Sequence, residues 1–164
     1  MTAQQYEKIS APFRGRKVSA GIKILNKALT AVGYTSYPLI LRYLYFTRPA
    51  VVPFAVAVPA SGFFLLTFVR KKINRPRPYE TLDINPIIIK NTKGKSMPSR
   101  HVFSMTVIAV TAFLVSPAIG AFLLVCSGLL AAIRAVAGVH YPSDVAVGFV
   151  SAVVWGAVLY SLFL

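Results

Sequence analysis

Acidic side chains are nearly missing from this 164-residue chain: four Asp and Glu stand against 18 Lys and Arg, a formal net charge of +14. A soluble domain of ordinary composition mixes both signs over its surface, and this chain cannot. Cysteine is reduced to one residue, Cys126, inside an apolar run, which excludes a disulfide framework and a paired-thiolate metal motif. Histidine occurs twice, so imidazole chemistry has to run through His101 and His140. The opening Met1-Thr-Ala-Gln-Gln-Tyr-Glu-Lys8 has no apolar stretch after a basic start, and no cleavable secretory signal is expected.

What the chain has in abundance is hydrocarbon. Hydrophobic residues make up 56% of it and mean hydropathy is +0.66. That composition reads as an integral membrane protein, and the length as one domain, 1–164. A strongly basic balance points to nucleic acid, anionic headgroups or an anionic substrate. Here the cations sit between bilayer-length apolar runs instead of covering a soluble face, which sets nucleic acid aside and leaves the membrane and an anionic lipid as partners.

Taken in order, residues 1–30 form a basic, amphipathic N-terminal segment, with Arg14-Gly15-Arg16-Lys17 placed to lie against anionic headgroups. Residues 18–47 read either as an interfacial helix followed by a short span or as one long tilted helix. Gly33 and Ser36-Tyr37-Pro38 favour a break near the middle. Residues 49–69 carry no charge and match the ~20 residues that cross hydrocarbon, with Pro53 and Pro59 predicting a kink. A polar loop over 79–100 contains an apolar patch, Pro86-Ile87-Ile88-Ile89, suited to dip into the membrane surface. Residues 102–133 are uncharged and too long for one span, and Ser116-Pro117 predicts a helical hairpin. A final span begins near Val145, where Gly148, Ala152 and Gly156 form a small-residue face for helix packing. The expected architecture is all-α, a polytopic transmembrane bundle of about five to six helices. Tracing the spans puts the 70–101 and 134–144 segments on one side of the membrane.

Those two segments hold both histidines and Asp144, the only acid beyond Asp83. A phosphate ester at a membrane surface requires cations for the dianion, a nucleophile, and an acid for the departing alkoxide. Arg70, Arg77 and Arg134 offer forked donors that match phosphate oxygens, Lys71 a point charge and Ser99 a hydroxyl. His140 and Asp144 stand at i and i+4 across a helix start at Pro142-Ser143. A carboxylate there can accept from one imidazole nitrogen and leave the other free to attack. His101, at the mouth of the next span, is placed as general acid. Arg75 and Lys72 read as ordinary snorkelling cations at a span end. A metal site of two histidines and one carboxylate is disfavoured by the surrounding arginines. Gly94-Lys95-Ser96 looks like the end of a phosphate-binding loop, but Ile89 stands where the first glycine of such a loop would be. No metal and no cofactor are expected.

At these residues the chain resembles the type 2 phosphatidic acid phosphatase superfamily, which includes lipid phosphate phosphatases and vanadium haloperoxidases. Its three motifs, K-x6-R-P, P-S-G-H and S-R-x5-H-x3-D, stand here as Arg70-x6-Arg77-Pro78, Pro98-Ser99-Arg100-His101 and Ile133-Arg134-x5-His140-x3-Asp144, with the internal spacings intact. The resemblance implies a phosphohistidine intermediate on His140, oriented by Asp144, with His101 as general acid. It also implies that Arg70, Arg77, Ser99 and Arg134 hold the phosphate and that no metal is needed. The substrate expected is a phospholipid or polyprenyl phosphate: phosphatidate, phosphatidylglycerophosphate or a polyprenyl diphosphate. A non-catalytic anionic-lipid-binding protein of the same fold is the alternative. Three positions depart from the pattern: Arg70 for lysine, Ile133 for serine, and Arg100 for glycine. The last either narrows the pocket or binds a second phosphate or acidic headgroup. If the N-terminus shares the motif face, that face carries 16 of the 18 Lys and Arg, with Arg42 and Arg48 elsewhere. The positive-inside rule then favours the cytoplasmic face of the cell membrane for the site, whereas family precedent favours the outer one.

Overall fold

The computed structural model describes residues 1–89 and 91–164, and every regular element among them is helical. Helices α1 (Ala3–Ser10), α2 (Arg16–Thr47), α3 (Val52–Ile73), α4 (Pro78–Thr81), α5 (Arg100–Ala112), α6 (Pro117–Val136) and α7 (Pro142–Phe163) are joined by short loops and by 3-10 turns at Ala11–Phe13 and Pro49–Val51. Three stretches, Pro49–Thr81, Pro117–Val136 and Pro142–Phe163, are long and apolar enough to cross a membrane by length and composition. The expected hairpin is present: α5 and α6 meet at a turn, and Pro117 opens α6 from the residue after its N-cap, Ser116.

Helix α5 is the axis of the bundle. Its 13 residues span only about 20 Å at 1.5 Å per residue, short of the ~30 Å of hydrocarbon. It packs against α2, α3, α6 and α7, and Val102, Phe103, Met105, Val107 and Ala109 are all buried. A helix apolar all round belongs in a core, and its neighbours form the outer wall. Phe64, Phe68, Phe122, Val125, Val150 and Leu162 are accordingly exposed on that wall, where lipid is the solvent.

The break expected near Gly33 and Pro38 does not occur. Arg16–Thr47 is one helix of 32 residues with Pro38 inside it, so of the two readings of 18–47 the single long helix is the observed one. Gly33 is there for packing: a Cβ on it would lie 2.5 Å from the sulfur of Met105. The Thr35 and Ser36 hydroxyls return to the carbonyls of Ala31 and Val32, the kind of local satisfaction that lets a membrane helix carry proline. Pro59 in α3 is accommodated in the same way. The Ala55 carbonyl, deprived of an N–H four residues on, accepts the Tyr37 hydroxyl at 3.1 Å. Pro53 lies in the first turn of α3, where its missing N–H matters little.

Both ends of α2 are tied to opposite ends of the bundle. Near its start, Tyr6 of α1 is fully buried against Gly138, where a Cβ would meet the Tyr6 hydroxyl at 2.8 Å. Near its finish, Arg48 donates to the Leu114 carbonyl at 3.3 Å, beside the α5–α6 turn. The N-terminus therefore lies at the same end as residues 137–141. The Pro86–Ile89 patch folds partly inward: Ile87 packs with Ala137 and Val139, and Ile89 remains 71% exposed.

The small face of α7 does more than bring helices together. Gly156 lies against Val110, and Gly148 against the backbone of Ser99, whose carbonyl oxygen would be 2.8 Å from a Cβ. Any side chain at Gly148 would push on the segment Pro98–His101.

Candidate active site

The start of α7 is the keystone. Pro142 opens the helix and Asp144 is its third residue, fully buried. The Asp144 Oδ2 accepts the Tyr141 backbone N–H at 3.0 Å, and its carbonyl accepts the Ser99 N–H at 2.8 Å. One residue thus joins the N-termini of α7 and α5. Oδ1 accepts from Arg75 Nη1 at 2.8 Å. The same guanidinium donates to Ser143 Oγ at 2.9 Å and lies 4.2 Å from the centre of the Tyr141 ring. This corrects the reading of Arg75 as a snorkelling cation: a buried carboxylate needs a charged partner, and Arg75 is that partner. Lys72, by contrast, is exposed, with its ammonium 5.7 Å from the Phe68 ring centre.

Between Asp144 and His140 stands a residue that sequence reasoning missed. Ser96 Oγ is 2.5 Å from Asp144 Oδ2 and 3.2 Å from His140 Nδ1. The direct separation of Nδ1 from Oδ2 is 3.7 Å, beyond a hydrogen bond. The expected carboxylate–imidazole contact is therefore relayed through a hydroxyl. A hydroxyl has one hydrogen, and the short contact with an acceptor-only carboxylate takes it. Ser96 Oγ then accepts from His140, which assigns the imidazole proton to Nδ1 and the lone pair to Nε2. Burial pushes the His140 pKa down to about 4, reinforced by Arg77 and Arg134 and only partly offset by Asp144. The ring is neutral at physiological pH.

His140 and His101 line one cavity of about 720 Å³, together with Arg70, Lys71, Arg77, Lys93, Lys95 and Arg100. His101 lies in the first turn of α5, half-buried, where the unpaired N–H groups of a helix start favour negative charge. Arg70 is buried and donates to the carbonyls of Pro98 and Lys95, so it braces the loop while facing the cavity. Arg77 donates to the Val139 carbonyl at 3.1 Å, and Arg134 is 2% exposed with its carbonyl accepting the His140 N–H at 3.3 Å. Four buried polar atoms here have no protein partner: Arg77 Nε, Arg134 Nε and Nη1, and Ser99 Oγ. Ser99 is the N-cap residue of α5 yet makes no capping bond. Such groups cost about 1–3 kcal/mol each when left unmatched; of the three residues Arg77 lines the cavity, whereas Arg134 and Ser99 are not among its lining residues. Lys71 and Arg100 are exposed at the cavity, the latter 5.4 Å from the Phe63 ring centre. Ile133, in the place of the motif serine, belongs to the apolar cluster of Met105 and Leu130.

A family model described as the PAP2 superfamily matches residues 49–164. Among solved structures, that of Aquifex aeolicus LpxE is similar with a TM-score of 0.75 at 24% identity, covering 98% of this chain and 94% of that one. A transmembrane PAP2 type phosphatidylglycerolphosphate phosphatase from Bacillus subtilis gives a TM-score of 0.68 at 18% identity, covering 97% and 92%. No curated protein matches by sequence. At these identities the structural likeness carries the fold: a membrane helical bundle, as the apolar spans required.

Proposed function

The chain belongs to the PAP2 superfamily, and from that membership we propose that it is a membrane lipid phosphatase that removes phosphate from a lipid phosphate monoester or diphosphate in two steps, through phosphohistidine. The observation that carries this reading is the shared cavity, in which two histidines and a set of arginines and lysines face one space at the end of an apolar bundle. His140 Nε2, its lone pair set free by the Ser96 bridge, attacks phosphorus as the bond to the leaving oxygen breaks. His101 gives that oxygen a proton. Water then attacks the phosphohistidine, losing its proton to His101, and the N–P bond breaks to release orthophosphate and restore both rings. Arg77, Arg134 and Ser99 carry the unmatched donors that suit the phosphoryl oxygens. Arg70 and Lys71 add charge beside them. Asp144 is engaged by Ser96, Tyr141 and Arg75, so a divalent cation would find no free carboxylate here, and the reaction proceeds in chelator.

The apolar bundle supports a lipid substrate, as does its likeness to a structure named as a phosphatidylglycerolphosphate phosphatase. Purified protein in chelator is expected to release phosphate from at least one of phosphatidate, phosphatidylglycerophosphate and a polyprenyl diphosphate. Saturable lipid binding with no release would favour a non-catalytic lipid-binding protein instead.

The site belongs on the cytoplasmic face. Tyr6 packs at the motif end of the bundle, so the cationic N-terminus shares that face, which then carries 16 of the 18 Lys and Arg, against Arg42 and Arg48 elsewhere. Asn91 is exposed in the loop lining the cavity. A cysteine there is expected to resist a membrane-impermeant thiol reagent in intact cells and to react after permeabilisation. Rapid labelling of intact cells would move the site to the outer face.

A further inference from the structure

We infer that the cavity contains a second anion subsite, formed by Lys93, Lys95 and Arg100, which takes a phosphate group of the lipid headgroup other than the one attacked. This rests on the phosphatase reading and names the class of lipid it acts on. In the phosphatase reading the phosphoryl group at His140 is matched by the unpartnered buried donors of Arg77, Arg134 and Ser99. Three further cations line the cavity, Lys93 and Lys95 on the 93–95 turn and Arg100 at the start of α5, and among the described residues no acidic side chain lines it. A cavity of about 720 Å³ is in the range that encloses a whole small ligand and far exceeds one phosphate.

The three side chains are exposed, but the backbone that carries the two lysines is fixed. The 93–95 turn is braced from several sides: Glu80 accepts the Gly94 N–H at 2.8 and 3.0 Å with its two oxygens, Arg70 holds the Lys95 carbonyl, and Tyr79 donates to the Thr92 carbonyl at 3.0 Å. Gly94 and Lys95 both have left-handed backbones, with φ of +61° and +51°. For a lysine this conformation has a conformational cost that a glycine would avoid. Glu80 is the nearby acid, and it is occupied with the turn's backbone. Arg100 is also held against its local electrostatics. It is the first residue of α5, at the positive end of the helix dipole where an acid would be favoured. Its guanidinium lies near the like charge of Arg70. A bound anion reverses both penalties. Of the two outcomes left open for an arginine in place of the motif glycine, a second phosphate contact is the one this surrounding favours.

The test compares kcat/KM, on the same preparations, for phosphatidate with one phosphate, dodecyl diphosphate with two adjacent phosphates, and phosphatidylglycerophosphate with two separated by glycerol. The wild-type chain is expected to prefer one of the two-phosphate lipids. Arg100→Gln and the pair Lys93→Gln, Lys95→Gln should each lower that preference by about tenfold, the effect of one lost charge-assisted hydrogen bond. Which lipid loses its advantage reports the spacing of the second phosphate. Because the readout is a ratio within one sample, partial unfolding of a variant cancels. A wild-type preference for phosphatidate, or ratios unchanged in every variant, overturns the subsite and leaves the phosphatase reading standing. No turnover of any lipid by the wild type sinks both.

Discussion

His140→Ala eliminates phosphate release, a loss on the order of 10⁴-fold or more, and no phosphorylated protein can be trapped from it. His101→Ala loses about 10²–10⁴ with an alkyl ester, the usual worth of a positioned proton donor. The two variants separate when the leaving group is changed. With p-nitrophenyl phosphate the departing oxygen needs no proton, so His101→Ala regains the first step and shows a burst of nitrophenol while phosphohistidine accumulates. His140→Ala shows no burst with any substrate. The acid side of the wild-type profile supplies a second check. Attack requires neutral His140, whose pKa lies at about 4 because the ring is buried, so kcat/KM contains no loss from this group near 6.5 and falls only as pH approaches 4. The same depressed pKa acts on stability with a defined sign. The unfolded chain takes up a proton near pH 6.5 that the native site refuses, so stability declines from there towards pH 4, and the profile has to be taken in brief exposures. A burst in His140→Ala, or a nucleophile titrating near 6.5, would be incompatible with this site.

Why the histidines, Asp144 and the motif arginines were legible in the sequence, while Ser96 and Arg75 were not, has a physical answer. Histidine is a rare residue type in this oily chain, and the fixed spacings at 134–140–144 and 98–101 single out its two copies. Ser96 and Arg75 are common types whose roles exist only after folding. Arg75 meets Asp144 across 69 positions of sequence, and Ser96 reaches His140 across 44. No local pattern encodes either approach. Arg75 was also hidden by company, being one of several cations in the 70–77 run, of which only some turn inward. The one available signal was arithmetic: a buried acid in a chain with four acids must find a cation, and Asp144 has no basic neighbour among the residues that follow it.

The fold was legible where apolar length decides it and illegible where tertiary contacts rescue a local defect. The 49–69 and 145–164 spans and the hairpin at Ser116-Pro117 follow from composition and proline. The continuity of α2 does not, because it depends on Met105 filling the space over Gly33 and on hydroxyls returning to their own helix. The shortness of α5 also needs the bundle: a helix of 13 residues whose one Lys or Arg is its first residue, Arg100, is a poor membrane span and a good core, and only its neighbours say which.

Asp144→Asn is expected to reduce kcat by about 10³–10⁴, the scale seen when an orienting carboxylate becomes an amide, although the substitution is nearly isosteric. The carboxylate accepts on both sides, from Arg75 at Oδ1 and from Ser96 and Tyr141 at Oδ2. An amide accepts on one. With its oxygen towards Arg75, its NH₂ meets the Tyr141 N–H and the Ser96 hydroxyl, which then turns its hydrogen to His140 Nδ1 and leaves the imidazole proton on Nε2, the atom that must attack. With its oxygen towards Ser96, the NH₂ faces a guanidinium and the negative charge that balances the phosphoimidazolium is gone. Ser96→Ala is milder, about tenfold, because removing the bridge lets the ring close the 3.7 Å gap and bond the carboxylate directly, keeping the proton on Nδ1. The double variant should lose no more than Asp144→Asn alone, since both act through one proton position. Losses that multiply, or an imidazole ¹⁵N spectrum showing the same His140 tautomer in wild type and Asp144→Asn together with a kcat drop below tenfold, would mean that Ser96 is only packing beside the nucleophile and relays nothing.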